Sequence, residues 1–279
     1  MAANRNVEEP MTTMADRVAG FELVTYRVAD RVATITLNRP ERRNALNFAA
    51  YDQLEQCLRH ASADPAARCV ILTGADPAFC SGDDVMEIMA GPKAVHKQPV
   101  IRHAITPAAL AALECEKPMI AAVNGAAVGW GMELALYADI RIASEKAKFA
   151  ELFIKRGLIC DVGGFYRLPA IVGPAKAAEL LFTGDVIDAR ESLRIGLVSD
   201  VVAHEELMQR ATAMAARIAA NPPLALRYMK EGLRKSAYGD PREIGAWAIA
   251  TIRALMETAD HREGVAAFME KREPVFEGR

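Results

Sequence analysis

The chain has 279 residues, 34 basic and 36 acidic, for a net charge of −2 with histidine neutral; 52% of it is hydrophobic and 25% charged. That length is enough for a large buried core, and the charge balance gives no footing for a nucleic-acid or anionic-membrane partner. No stretch of 18 apolar residues occurs, so no membrane span is expected. The five cysteines (Cys57, Cys69, Cys80, Cys115, Cys160) are odd in number and form no CxxC pair, which argues against a disulfide framework or zinc ribbon and for a reducing, cytoplasmic setting. With five histidines and no HExxH, no metal site is expected.

In chain order, residues 1–20 are polar, lack the apolar stretch of a secretory signal and are expected to be a loose tail. Residues 21–37 alternate apolar and polar on both sides of Ala29-Asp30, a hairpin pattern. NRPERRNAL breaks the strand at Pro40, and Asn44 is placed to cap a helix over 45–62 with Phe48, Tyr51, Leu54, Cys57 and Leu58 at helical spacing. CVILTG (69–74) reads as a buried strand, followed by AFCSGDDV and a helical piece near 84–90. Residues 91–104 look like a surface loop, 106–115 a helix, 118–123 a second buried strand, GWGMELALYAD a helix and 139–144 a strand. Residues 145–165 read as irregular. Helices near 174–182 and 188–194 are followed by a short strand at 197–202 after Gly196, and everything after about 204 is helical. The expected fold class is therefore α/β with a helical C-terminal segment, divided as tail 1–20, core 21–203 and helices 204–279.

The chain lacks a GxSxG elbow, a GxxxxGK[ST] loop and a GxGxxG fingerprint after its first strand. Two segments share one design. CVILTG runs into ADPAFCSGDDV, and PMIAAVNG runs into AAVGWGMELAL: a buried strand, a glycine-rich bend, a helix start. Each alone is an ordinary strand-to-helix turn. Facing each other, the two bends would offer two backbone N–H donors to one oxygen, the geometry of an oxyanion hole. Glu133 stands in the first turn of its helix, where the dipole favours a carboxylate and where it could also act as acid or base. Asp161, in GLICDVGG, is either a turn aspartate or a proton carrier in an apolar setting.

Taken together, LNRPERRNALN (37–47), ILTGADPAFCSGDDV (71–85), KPMIAAVNGAAVGWGMELALYADIRIASEKAKFA (117–150), GLICDVGGFYRLPAIVG (157–173), LLFTGDVIDARESLRIGLVSDVV (180–202) and HREGVAAFMEKREPVF (261–276) resemble the crotonase superfamily, the enoyl-CoA hydratase/isomerase group. The resemblance implies a crotonase-like spiral of ββα turns with a C-terminal helical trimerisation segment, and a homotrimer or a hexamer made of two trimers. It implies an acyl-CoA thioester substrate, with coenzyme A as part of the substrate and no separate cofactor. The two oxyanion donors fall on the backbone N–H groups of Asp83 and Trp130. The family usually has glycine at the second, so the Trp130 indole is a departure that reshapes the acyl pocket. The first hydratase glutamate aligns with Glu133; the second falls on Phe153, which would line the pocket instead. Asp161 stands where dienoyl-CoA isomerases and the ring-opening isomerases of phenylacetate catabolism carry their catalytic aspartate. Arg43, Ala45 and Leu46 resemble the segment lining the CoA channel, and Lys271 a C-terminal lysine that approaches the CoA phosphates. The expected activity is double-bond isomerisation of an unsaturated acyl-CoA. The alternatives are water addition to a 2-enoyl-CoA and acyl-CoA binding without turnover.

Overall fold

The computed structural model describes residues 13–94, 106–160, 163–237 and 239–279. Asp161, residues 95–104 of the expected surface loop and the first twelve residues lie outside them. The chain opens with α1 (Met14–Ala19), capped by Thr13 and anchored by buried Val18, so the tail reading does not hold for that stretch. Its capping box, Thr13 with Asp16, is a signal that the polar composition hid.

A hairpin follows, β1 (Val24–Ala29) and β2 (Val32–Leu37). It turns through Asp30 and Arg31 at φ 49° and 64°. Then come α2 (Phe48–Ala63), β3 (Cys69–Gly74), β4 (Ala78–Cys80), one wide helical turn at Val85–Met89 and α3 (Pro107–Glu114). The next turn of the spiral is β5 (Met119–Val123), β6 (Ala126–Val128) and α4 (Trp130–Tyr137). After it come β7 (Ile140–Ser144), β8 (Lys148–Ala150), α5 (Arg167–Val172), α6 (Pro174–Thr183), β9 (Ile187–Asp188), α7 (Ala189–Arg194) and β10 (Asp200–Val202). Four helices finish the chain: α8 (Leu207–Ala219), α9 (Pro223–Ser236), α10 (Pro241–Met256) and α11 (Ala259–Glu270).

The five longest strands and three-residue β10 form one sheet in the order β1-β2-β3-β5-β7-β10, antiparallel only at the hairpin. The short strands form a second sheet, β4-β6-β8-β9. β3, β5 and β7 each give five or six residues to the first sheet, and β4, β6 and β8, which follow them, give three each to the second. Both faces of the long sheet are covered, which is why β3 and β5 read as continuous apolar runs. Val70, Leu72, Met119 and Ala121 join the main core, while Cys69, Ile71, Ile120 and Ala122 face α8. That helix closes its side with Leu207, Ala211, Ala215 and Ala219, spaced four apart so that one narrow stripe of small side chains lies on the sheet.

Two sequence expectations change. The cap of α2 is Asn47, whose Oδ1 accepts the Ala50 N–H at 2.9 Å, not Asn44. The stretch 145–165 is not wholly irregular, since β8 pairs with β6 and β9. Three-residue strands are too short to display alternation, so their pairing partners, not their own sequence, make them strands.

Candidate active site

The second sheet brings the two bends together. β4 and β6 run parallel, with Ala78 opposite Ala126 and Cys80 opposite Ala127. Gly82 follows β4 at φ 88°, and Gly129 follows β6 at φ 54°, both in the left-handed half of the map that glycine tolerates. A Cβ on Gly82 would meet Val128 O at 2.8 Å and stand 3.4 Å from Trp130 N. A Cβ on Gly131 would lie 2.1 Å from Cys80 O. The bends therefore touch backbone to backbone, and side chains at these positions would hold them apart.

The NRPERRNAL loop zips onto the first bend. Ser81 N–H donates to Arg43 O (3.1 Å), Leu46 N–H to Gly82 O (2.8 Å) and Asp84 N–H to Leu46 O (2.9 Å). In such a parallel bridge the residue between the two bonds turns its own N–H away from the partner, so Asp83 directs its amide to the side opposite Leu46. Trp130 is the first residue of α4, where an N–H has no carbonyl one turn back. Asn44 sets the shape of the loop. It is buried at φ 57°, its side chain accepts Arg39 N–H (2.9 Å) and donates to Ala75 O (2.7 Å) and Ala78 O (2.6 Å). The helix-cap reading missed this role, because a cap and a loop lock use the same residue type.

Glu133 is fully buried in α4, and its Oε1 accepts the N–H groups of Gly163 (3.1 Å) and Gly164 (2.8 Å). The carboxylate is thereby tied to the segment that follows Asp161 in sequence. The Phe153 ring lies against the second bend, its Cζ 3.8 Å from where a Cβ on Gly129 would be. The Trp130 indole is 3% exposed and meets the Tyr51 ring edge to face, with centroids 4.8 Å apart. Tyr51 in turn donates its hydroxyl to Asp83 Oδ1 at 2.5 Å. The sequence offered Tyr51 only as one apolar position of an amphipathic helix. Glu151, a second buried carboxylate two residues before Phe153, also went unread.

Beside the first bend opens a cleft of about 470 Å³ lined by Arg39, Arg42, Lys93, Asp84, Glu87 and their neighbours. Arg39 pairs with Asp84 at 3.1 Å and donates to Ala45 O at 2.5 Å. Of the residues singled out from sequence, the structure gathers Ala45, Leu46, Asp83, Trp130, Glu133 and Phe153 around the bends. Arg43 is exposed on the same loop. Lys271 does not join them within one chain: it ends α11 at φ 55°, with its N–H turned back to Phe268 O at 3.3 Å. Among the described residues no cluster of three or more His, Cys, Asp or Glu is placed to hold a metal ion. No described helix is long and apolar enough to cross a membrane.

A spiral of ββα turns whose glycine bends meet beside a buried carboxylate defines the crotonase class. The sequence profile of the enoyl-CoA hydratase/isomerase family matches residues 27–279, and the chain belongs to that family of enzymes. It is 35% identical to 1,2-epoxyphenylacetyl-CoA isomerase of Escherichia coli, over 93% of this chain and all of the relative. It is 37% identical to (E)-benzylidenesuccinyl-CoA hydratase of Thauera aromatica, over 91% of this chain and 99% of the relative. The crystal structure of enoyl-CoA hydratase from Bacillus anthracis superposes with a TM-score of 0.84 at 33% identity, covering 92% of this chain and 100% of that one. Hydratase names outnumber isomerase names among relatives of this similarity.

Proposed function

We propose that this enzyme moves a double bond along the acyl chain of an unsaturated acyl-CoA through a thioester enolate. The thioester oxygen accepts the N–H groups of Asp83 and Trp130. Asp161 takes a proton from the carbon beside the carbonyl, and the C–H electron pair passes into the enolate. The pair then returns at a carbon farther along the chain, which takes the proton back from Asp161. No atom is gained or lost. Glu133 holds the amides of Gly163 and Gly164 and assists as a second proton carrier or by fixing a water. Arg42 and Lys93, in the cleft they share with the paired Arg39 and Asp84, suit the CoA phosphates, with Arg43, Ala45 and Leu46 along the channel and Lys271 reaching it from a neighbouring subunit of a trimer.

The observation that carries this reading is the contact between the two bends, which leaves room for no more than a hydrogen atom between Gly82 and the backbone at Val128 and Trp130. The preference for isomerisation rests on Phe153: an aromatic ring stands against the second bend where the resemblance expects the second hydratase glutamate. Water addition is the other reading, favoured by the names of most relatives. Incubation with crotonyl-CoA, a 3-enoyl-CoA and a 3,5-dienoyl-CoA separates them. Moved conjugation at unchanged mass supports the isomerase. A gain of one water supports the hydratase. Binding without reaction of any thioester contradicts both.

A further inference from the structure

Tyr51 is the side chain that the fold places across both candidate donors. It projects from the start of α2 and reaches two bends that belong to two other turns of the spiral. Its hydroxyl donates to Asp83 Oδ1 at 2.5 Å, and its ring meets the Trp130 indole with the planes 84° apart and the centroids at 4.8 Å. We propose that Tyr51 is a positioning residue that braces the two amide donors and restrains the Asp83 carboxylate beside the site where negative charge develops; this rests on the enolate reading above.

Peptide donors stabilise an oxyanion only when they are aimed before the charge appears. Bends after strands are the softer parts of a fold, so aim has to be imposed from outside. A short O–H···O⁻ bond and an edge-to-face ring contact are two directional interactions suited to that task. The Trp130 indole Nε1 is buried with no acceptor among the described residues, so ring packing rather than a hydrogen bond sets its orientation. Asp83 adds a second reason. A carboxylate on the donor residue opposes a second negative charge nearby. Turning one of its oxygens onto the Tyr51 hydroxyl fixes its rotamer and draws charge away from the enolate oxygen. Neither contact involves the groups assigned to CoA, so Tyr51 acts on the step that builds charge and not on holding the carrier.

The test uses the full-length enzyme with Tyr51→Phe, which keeps the ring, Tyr51→Leu, which removes both contacts, Asp83→Asn, and the Tyr51→Phe/Asp83→Asn double variant. Circular dichroism and melting confirm that each is folded. Two readouts are taken: kcat and KM separately on the substrate found in the thioester panel, and the red shift of para-aminocinnamoyl-CoA on binding, which reports carbonyl polarisation without turnover. Tyr51→Phe is expected to lower kcat about tenfold with KM within about twofold, short of the 10²–10³ lost with an entire donor, and to shrink the red shift. Tyr51→Leu is expected to lower kcat further. On the Asp83→Asn background the Tyr51→Phe change is expected to cost less than about twofold, because the restrained charge is gone. Wild-type kcat and red shift in Tyr51→Phe overturn the brace. So does a Tyr51→Phe loss that is undiminished on the Asp83→Asn background. If the wild-type enzyme itself gives neither turnover nor a red shift, the enolate reading fails and takes the brace with it; normal wild-type behaviour with a silent Tyr51→Phe removes the brace alone.

Discussion

At Glu133 one carboxylate oxygen holds two buried peptide N–H groups, those of Gly163 and Gly164. Charge and anchoring are therefore separable. Glu133→Gln keeps an acceptor oxygen and removes the charge; it is expected to fold and to lose roughly 10²–10⁴ in rate, the usual weight of a group serving proton transfer. Glu133→Ala also orphans two buried donors and is expected to lose about 2–6 kcal/mol of stability, at roughly 1–3 kcal/mol per group. Melting of the two variants beside wild type checks this. The cysteines give a second residue-scale prediction. Burial pushes the thiols of Cys57, Cys69 and Cys80 up to about 12. These three are expected to resist alkylation at pH 8 in the folded protein and to react once denaturant opens it, as peptide mass mapping would show. Burial of these positions was legible, because each falls in an apolar pattern. The roles of Tyr51 and Asn44 were not, because their deciding partners are far off in sequence: Ala75 and Ala78 lie 31 and 34 residues from Asn44, and Asp83 lies 32 from Tyr51.

At the scale of elements, the strands of the first sheet were legible and those of the second were not. β3 and β5 carry six and five buried residues, enough to read as strands covered on both faces. β4, β6 and β8 are only three residues long, with three, one and two of them buried, and their strand character comes from pairing with one another. Yet these short strands position the bends. Gly131→Ala would drive a methyl to 2.1 Å from Cys80 O. It is expected to destabilise by about 1–3 kcal/mol as the backbones separate, with a larger loss in kcat than in melting temperature would suggest. The ends of β3 and β5 are held on the outer side by a further knot. Asn124 Nδ2 donates to Asp76 Oδ1 at 2.9 Å, and His204 Nε2 lies 3.1 Å from Asp76 Oδ2. Burial acts to raise the Asp76 carboxyl, but hydrogen bonds from Asn124 and His204 outweigh it and hold it below its ordinary value of 3.8. A carboxyl depressed on folding adds stability above its unfolded value and loses it as pH falls through the folded one. Asp76→Asn is thus expected to melt below wild type at pH 7, with the gap closing below pH 3.8.

For the whole molecule, the C-terminal helices were legible from composition, and their exposed apolar faces became visible only in three dimensions. Leu233 on α9 is 70% exposed, and Phe268 and Met269 on α11 are 82% and 75% exposed. Large apolar side chains left exposed on the C-terminal helices are what a protein contact would cover, and the trimer that the resemblance implies is the expected contact. Light scattering after size exclusion is expected to give three or six times the chain mass of 30.3 kDa, and Phe268→Asp to shift it toward one. Lys271, on the same segment, would then lie at a neighbour's cleft, where its removal raises KM for the CoA ester and leaves kcat in place. The choice between isomerase and hydratase was not legible in the fold, because both chemistries share the bends and differ in the carboxylates around them. The most direct test is a 3-enoyl-CoA incubated with wild-type enzyme and with Asp161→Asn in D₂O, followed by mass spectrometry and ultraviolet absorbance. Wild type is expected to yield the conjugated 2-enoyl ester without added water, with deuterium entering the acyl chain to the extent that the Asp161 carboxyl exchanges with solvent before the proton is returned, and Asp161→Asn to be slower by at least about a hundredfold. Equal rates in the two proteins, or an acyl chain that is neither rearranged nor deuterated, would contradict the account.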